Sequence, residues 1–296
     1  MKPFLIIFIV IKLSSLSLQT EVEAIPTNQT KEERGLITNL FGSSSNSLSE
    51  NGDKSALIFI HGLAASLSSL CQIFAGPLMG LSSSDNIVRC PKAPYDSALI
   101  LPPSFVTSKL KLTVSWFNFW MMPAVSVLSP VAGESREGMD RALQTIEEEI
   151  EDLIINHNVP SENIVVAGAS QGGVLTIWCA LYCKRKLGGF LPIVTWLPLR
   201  KINDITQISP PPINKDTPIM HMNGLLDPIV PAWPAAKKTE EEMEKVFTNY
   251  ELKLVPGTHG TSIGPHTTPL MVRWAKKNTN LKFSNWNPIA WIPGRK

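Results

Sequence analysis

At 296 residues the chain is long enough for one large domain or two modest ones, with ample material for a buried core. Hydrophobic residues make up 44% and charged residues 18%, a balance that excludes a disordered protein. Twenty-seven basic against 25 acidic residues leave a net +2, so no strong field recruits nucleic acid or acidic membrane.

The first segment, "MKPFLIIFIVIKLSSLSLQTEVEA", carries Lys2, an apolar run from Phe4 to Ile11, and then a polar stretch with small residues at cleavage spacing. That layout predicts a secretory signal peptide over residues 1–24, because the apolar run is far short of the roughly 20 residues a membrane-spanning helix needs. Asn28-Gln29-Thr30 follows as an N-glycosylation acceptor sequence. Residues 25–54, rich in Ser, Asn, Gly, Thr and charge, predict a solvated lead-in. Later in the chain there is no 18-residue apolar stretch, so no stable membrane span is expected. These features together predict a secreted or secretory-lumen protein.

The folded part begins with "SALIFIHGL". Residues 55–60 read as a buried strand that His61-Gly62 breaks. Further short strands are predicted at 86–90, 163–168, 190–196, 218–223 and 250–255. Over 137–157, Met139, Leu143, Ile146, Ile150 and Leu153 recur at intervals of three and four, which is a helix with one apolar face. Strands alternating with helices, and no linker between them, predict one α/β domain over 55–296 with a mostly parallel sheet and helices on both faces.

The strand "NIVVAG" runs into Gly168-Ala169-Ser170-Gln171-Gly172, and "VLTIWCALYCKRKL" reads as the helix that follows. In the pattern G-x-S-x-G between strand and helix, the serine sits on a strained turn with its hydroxyl exposed. The helix N-terminus adds positive potential beside it. Four cysteines, Cys71, Cys90, Cys179 and Cys183, are an even number compatible with disulfides. Cys179 and Cys183 stand four apart on the helix without a His or Cys partner, so structural thiols are expected and no metal site.

A serine needs a base, and the base needs a group to orient it. In a parallel sheet the reactive groups gather at the carboxyl ends of the strands. His61 closes the first strand in an HG pair of the kind that shapes an oxyanion loop, His157 ends the long helix, and His221 lies inside a strand. His259, in a Gly-rich loop after strand 250–255, is at the correct edge, and His266 is the second choice. Among the acids, Asp216 precedes its strand, Asp140 and Asp152 are on the helix, and Asp204 lies in an irregular loop. Asp227 follows its strand, in "NGLLDPIVP", at the carboxyl end. Ser170, Asp227 and His259 then stand in the chain order of an α/β-hydrolase triad.

Several segments together resemble the acyl-protein thioesterase and lysophospholipase group, the phospholipase/carboxylesterase family of α/β-hydrolases. They are "IFIHGL", "CPKAP", "SWFN", "GASQGGVLTIWCAL", "TWLPL", "NGLLDPIVP" and "GTHG", in the family's order across about residues 55–275. The resemblance implies an α/β-hydrolase fold and a serine esterase or thioesterase with Ser170 as nucleophile, Asp227 as acid and His259 as base. It implies oxyanion donors at the backbone N–H groups of Leu63 and Gln171, an acyl ester or thioester substrate, and no cofactor or metal. It also places residues 99–128 beside the acyl channel, with Trp116, Phe117, Trp120, Met121 and Met122 as lining. The other reading of these side chains is ordinary core packing.

The chain departs from the family in three places. "AASLSSL" follows His-Gly-Leu where the family has Gly-Asp and more glycines, Asn223 replaces the His of His-Gly-x-x-Asp, and Asn118 replaces the Asp of "SWFD". An altered oxyanion loop keeps a second class of function in view, a hydrolase-like lipid-binding protein without activity.

Overall fold

The computed structural model describes residues 54–62, 80–81, 84–93, 115–117, 135–199, 204–264 and 266–284. The chain divides into two units, Met1–Glu50 and Asn51–Lys296, and all described residues belong to the second. The segment read as a signal peptide, the acceptor Asn28, Leu63, Cys71, Asn118, Trp120, Met121, Met122 and the Trp-containing tail lie outside the described residues.

In chain order the strands are β1 (Ser55–Ile60), β2 (Asn86–Arg89), β3 (Ile164–Ala169), β4 (Gly189–Ile193), β5 (Ile219–Gly224) and β6 (Tyr250–Val255). Among the described residues, the helices of seven or more residues are α1 (Arg136–Ile155), α2 (Gln171–Tyr182), α3 (Lys237–Met243) and α4 (Thr268–Asn278). The strands form one sheet in the order β2-β1-β3-β4-β5-β6, and every pairing is parallel. β2 and β3 flank β1 on opposite sides, so the winding reverses there and leaves a crevice between the carboxyl ends of β1 and β3.

The side-chain period of two splits each strand between two cores. Ala56, Ile58 and Ile60 of β1 pack with Met139, Ile146 and Ile150 of α1 and with Val174 and Trp178 of α2. Leu57 and Phe59 face the other way, with Met271, Val272 and Trp274 of α4. Both faces are therefore covered, which is why the inner strands β1, β3 and β4 read as continuous apolar runs. The α/β architecture expected from the sequence is the one observed.

Most boundaries fall within two residues of the sequence reading, and three differ by more: the end of β4 and both ends of α2. β4 stops at Ile193 rather than 196, because Val194 turns to φ 45 and the chain leaves the sheet. The helix begins at Gln171, three residues earlier than 174, and ends at Tyr182, five before 187. At its end Cys183 takes φ −61, ψ 139. Beyond it Lys184 and Arg185 pair with Glu147 and Glu151 of α1. Cys179 and Cys183 are free and buried, whereas Cys90 is disulfide-bonded. No helix among the described residues is long and apolar enough to cross a membrane.

Candidate active site

Ser170 occupies the turn from β3 into α2 with φ 54 and ψ −118, a conformation that a non-glycine residue holds only when its surroundings enforce it. The enforcement begins with missing side chains. A Cβ on Gly168 would meet the Gly172 carbonyl oxygen at 2.3 Å, and one on Gly172 would meet the Ile60 carbonyl oxygen at 2.1 Å. The turn closes only because neither residue has one. Hydrogen bonds complete it: the Ser170 N–H donates to Ile193 O at 2.9 Å, and the Ser170 carbonyl accepts from Val174 N at 3.0 Å.

His259 and Asp227 reach this turn from two other loops. His259 follows β6, and its Nε2 is 2.9 Å from Ser170 Oγ. Its Nδ1 is 2.8 Å from Asp227 Oδ2. A carboxylate at Nδ1 places the proton of the neutral ring there and leaves Nε2 as acceptor for the serine hydroxyl. Asp227 ends the turn that leaves β5, and its side chain is fully enclosed while that of His259 is 18% exposed. Asn223, the residue standing in the family's His position, donates from Nδ2 to Val230 O at 2.9 Å and so braces the loop that carries the acid.

The other candidates sit elsewhere. His266 Nε2 is 3.0 Å from the Pro256 carbonyl, and His157 bonds Arg89. His221 is wholly buried in β5, its Nδ1 2.6 Å from Tyr250 Oη. Burial holds its pKa down to about 3 against the opposing Thr195 carbonyl. Asp204 caps a short turn through Thr206, and Asp216 accepts from Thr248 at the amino end of β5.

His61 is a strut. Its Nδ1 bonds the Gly62 carbonyl at 2.8 Å, and its Nε2 accepts from Ala93 N at 3.4 Å. Burial lowers its pKa, with the Gly62 carbonyl opposing. The ring therefore stays neutral and ties the end of β1 to the segment after β2.

Gln171 is almost fully buried, and its side chain clamps the 115–117 segment. It accepts from Trp116 N at 3.0 Å and donates to Phe117 O at 2.7 Å and Ser115 Oγ at 2.9 Å. Its backbone N–H opens α2 and has no acceptor within the helix. Trp116 and Phe117 have no exposed surface. The Trp116 indole N–H donates to His61 O at 2.9 Å. These two aromatics thus lie among the packing beneath the site, joined to Gln171 through their backbone. Thr195, which the sequence reading passed over, donates its hydroxyl to the Ser170 carbonyl at 3.0 Å. No local pattern marks that contact, because the partners are 25 residues apart.

Around the acid, the chain exposes apolar side chains. Leu225 is 52% and Leu226 74% accessible in the two positions before Asp227, and Trp233, six positions after it, is 66% accessible.

The phospholipase/carboxylesterase family model matches residues 49–266. An acyl-protein thioesterase 1 from Debaryomyces hansenii is 27% identical over 208 residues, covering 69% of this chain and 83% of that protein. The acyl-protein thioesterase 1 of Candida albicans is 27% identical over 213 residues, covering 69% and 84%. Among solved structures, Arabidopsis thaliana SOBER1 superposes with a TM-score of 0.62 at 24% identity over 76% of this chain and 99% of that one. Zea mays acyl-protein thioesterase 2 gives 0.59 at 17% identity over 77% and 95%.

Proposed function

Because the chain belongs to the phospholipase/carboxylesterase family of α/β-hydrolases, we propose that it cleaves carboxylic ester or thioester bonds of acyl substrates through an acyl-enzyme. One observation carries this reading: an unbroken hydrogen-bonded path from Ser170 Oγ through the His259 ring to Asp227 Oδ2. In the proposed reaction His259 Nε2 takes the proton of Ser170 as its oxygen attacks the acyl carbonyl. Asp227 stabilises the imidazolium that forms, and its two backbone hydrogen bonds keep it aimed. The imidazolium then protonates the departing alcohol or thiol, and water repeats the sequence on the acyl-enzyme.

The tetrahedral oxygen is to be met by the backbone N–H groups of Gln171 and Leu63. Each such donor is worth on the order of 3–4 kcal/mol of barrier. The exposed Leu225 and Leu226, immediately before Asp227, support an acyl substrate of lipid character, free or protein-linked. The names of the fungal thioesterases point the same way. The reading places the protein in the secretory pathway, with residues 1–24 as signal peptide and 25–54 as lead-in. A disulfide at Cys90 supports an oxidising compartment.

The test is acyl hydrolysis by the purified protein on short- and long-chain p-nitrophenyl esters, wild type beside Ser170→Ala, with fluorophosphonate labelling in parallel. Turnover and labelling that vanish together in the variant uphold serine hydrolysis. A folded wild type that neither turns over nor labels sinks it and leaves a lipid-binding protein.

A further inference from the structure

Ser170 shares a peptide group with Gln171, and the two ends of that group have different tasks. The N–H end belongs to Gln171, the first residue of α2, and has no acceptor within the helix. The C=O end belongs to Ser170 and points back into the protein, where it accepts from Val174 N–H at 3.0 Å and from the Thr195 hydroxyl at 3.0 Å. A trans peptide is a rigid plane, so whatever fixes its oxygen fixes the direction of its N–H. Donation to the carbonyl also polarises the peptide and makes its N–H a better donor.

The placement of Thr195 is over-determined. It follows Val194, whose φ of 45 is rare for a β-branched residue. The Val194 N–H is held by Met222 O at 2.7 Å. Thr195 has no exposed surface. A Cβ on Gly173 would lie 2.7 Å from Thr195 Cβ, so that glycine makes the room this side chain fills. The fold accepts backbone strain after β4, and one result is a hydroxyl delivered to the carbonyl of the candidate nucleophile.

Resting on the serine-hydrolase reading above, we infer that Thr195 is a positioning residue for both the nucleophile and the oxyanion donor. Its hydroxyl holds the Ser170–Gln171 peptide so that the Gln171 N–H points to where negative charge develops. It touches no substrate. An interaction of this kind acts in the transition state more than on the bound ester, so its loss lowers kcat and spares KM.

The experiment compares wild type, Thr195→Val and Thr195→Ser on p-nitrophenyl esters and measures inhibition by an acyl trifluoromethyl ketone, which presents an oxyanion once Ser170 has added to it. For Thr195→Val we expect kcat to fall about tenfold, KM to move less than about twofold, and the ketone's inhibition constant to rise in step with the loss. Thr195→Ser keeps the hydroxyl and restores most of kcat. If Thr195→Val does not fold, Thr195→Ala removes the hydroxyl without a new methyl group and carries the same expectation. Wild-type kcat in the valine or alanine variant, equal losses in valine and serine variants, or a rise in KM alone overturns the inference. A wild type with neither turnover nor fluorophosphonate labelling overturns the hydrolase reading instead.

Discussion

Asp227 divides its two carboxylate oxygens between a ring and the backbone. Oδ2 is 2.8 Å from His259 Nδ1, while Oδ1 accepts the N–H groups of Ile229 at 2.8 Å and Val230 at 2.9 Å. The second set fixes the carboxylate plane, and the first fixes the histidine tautomer. Asp227→Asn can keep its carbonyl oxygen on the backbone and so leave the loop intact. It then presents an amide N–H to Nδ1, which favours the tautomer with the proton on Nε2. That tautomer cannot accept from Ser170. Expected is a loss in kcat on the order of 10³–10⁴ with a nearly unchanged melt. Ester turnover beside a thermal scan measures both, and a variant that keeps a tenth or more of wild-type kcat would falsify the role given to Asp227.

Gly172 carries the steric condition of the turn. An added methyl group would sit 2.1 Å from Ile60 O and 2.6 Å from His61 O, both backbone atoms that cannot swing aside. To admit it, α2 must back away from β1, taking Ser170 with it. Gly172→Ala is therefore expected to cost about 3 kcal/mol or more and to remove activity together with stability. Soluble yield and a denaturant melt decide it. A variant as stable and as active as the parent would show that the helix can shift freely.

How much of this was legible in the sequence depends on how local each cause is. The limits of β1 and β6 were read to the residue because an unbroken apolar or alternating run is its own signal. The end of β4 was missed, since nothing in "FLPIVTW" announces that Val194 will adopt a left-handed backbone. The start of α2 was also missed. Gly172 and Gly173 look like turn residues by propensity, and only the approach of Ile60 and Thr195 explains why a helix needs them. Ser170, Asp227 and His259 could be named because all three lie just past the carboxyl ends of their strands, and the structure puts them within hydrogen-bond reach. The supports of that constellation were invisible. Gln171 grips residues 55 positions away and Thr195 the carbonyl 25 positions back, and no spacing rule encodes either.

His221 links the fold to pH. It is wholly buried, and desolvation lowers its pKa to about 3 from an ordinary value of 6.5. Between those values the unfolded chain binds a proton there that the native chain refuses. Stability from this residue is therefore fully present above about pH 6.5 and lost as pH falls, at up to roughly 1.4 kcal/mol per pH unit. His61, also lowered by burial, adds in the same direction. His221→Asn leaves an acceptor near the Tyr250 hydroxyl and removes the titration. Urea midpoints between about pH 7 and pH 4.5 should drop less steeply in the variant than in the parent. Parallel profiles would mean that His221 does not set the acid limb.

Leu226 is the most exposed of the described large apolar residues, 74% accessible, and stands immediately before the candidate acid. Exposed apolar area earns nothing for the free protein in water. Under the proposed acyl hydrolysis, a long acyl chain would cover it where a short one would not. Leu226→Ser removes hydrocarbon from the rim without touching the hydrogen bonds of Asp227, because the Leu226 N–H still reaches Gly257 O at 2.9 Å. Covering half a leucine is worth about 1 kcal/mol, so kcat/KM on long-chain esters should fall about fivefold while that on acetate and butyrate esters holds. Equal effects on short and long chains would separate this leucine from acyl recognition and move the search for the acyl path to the 99–128 segment.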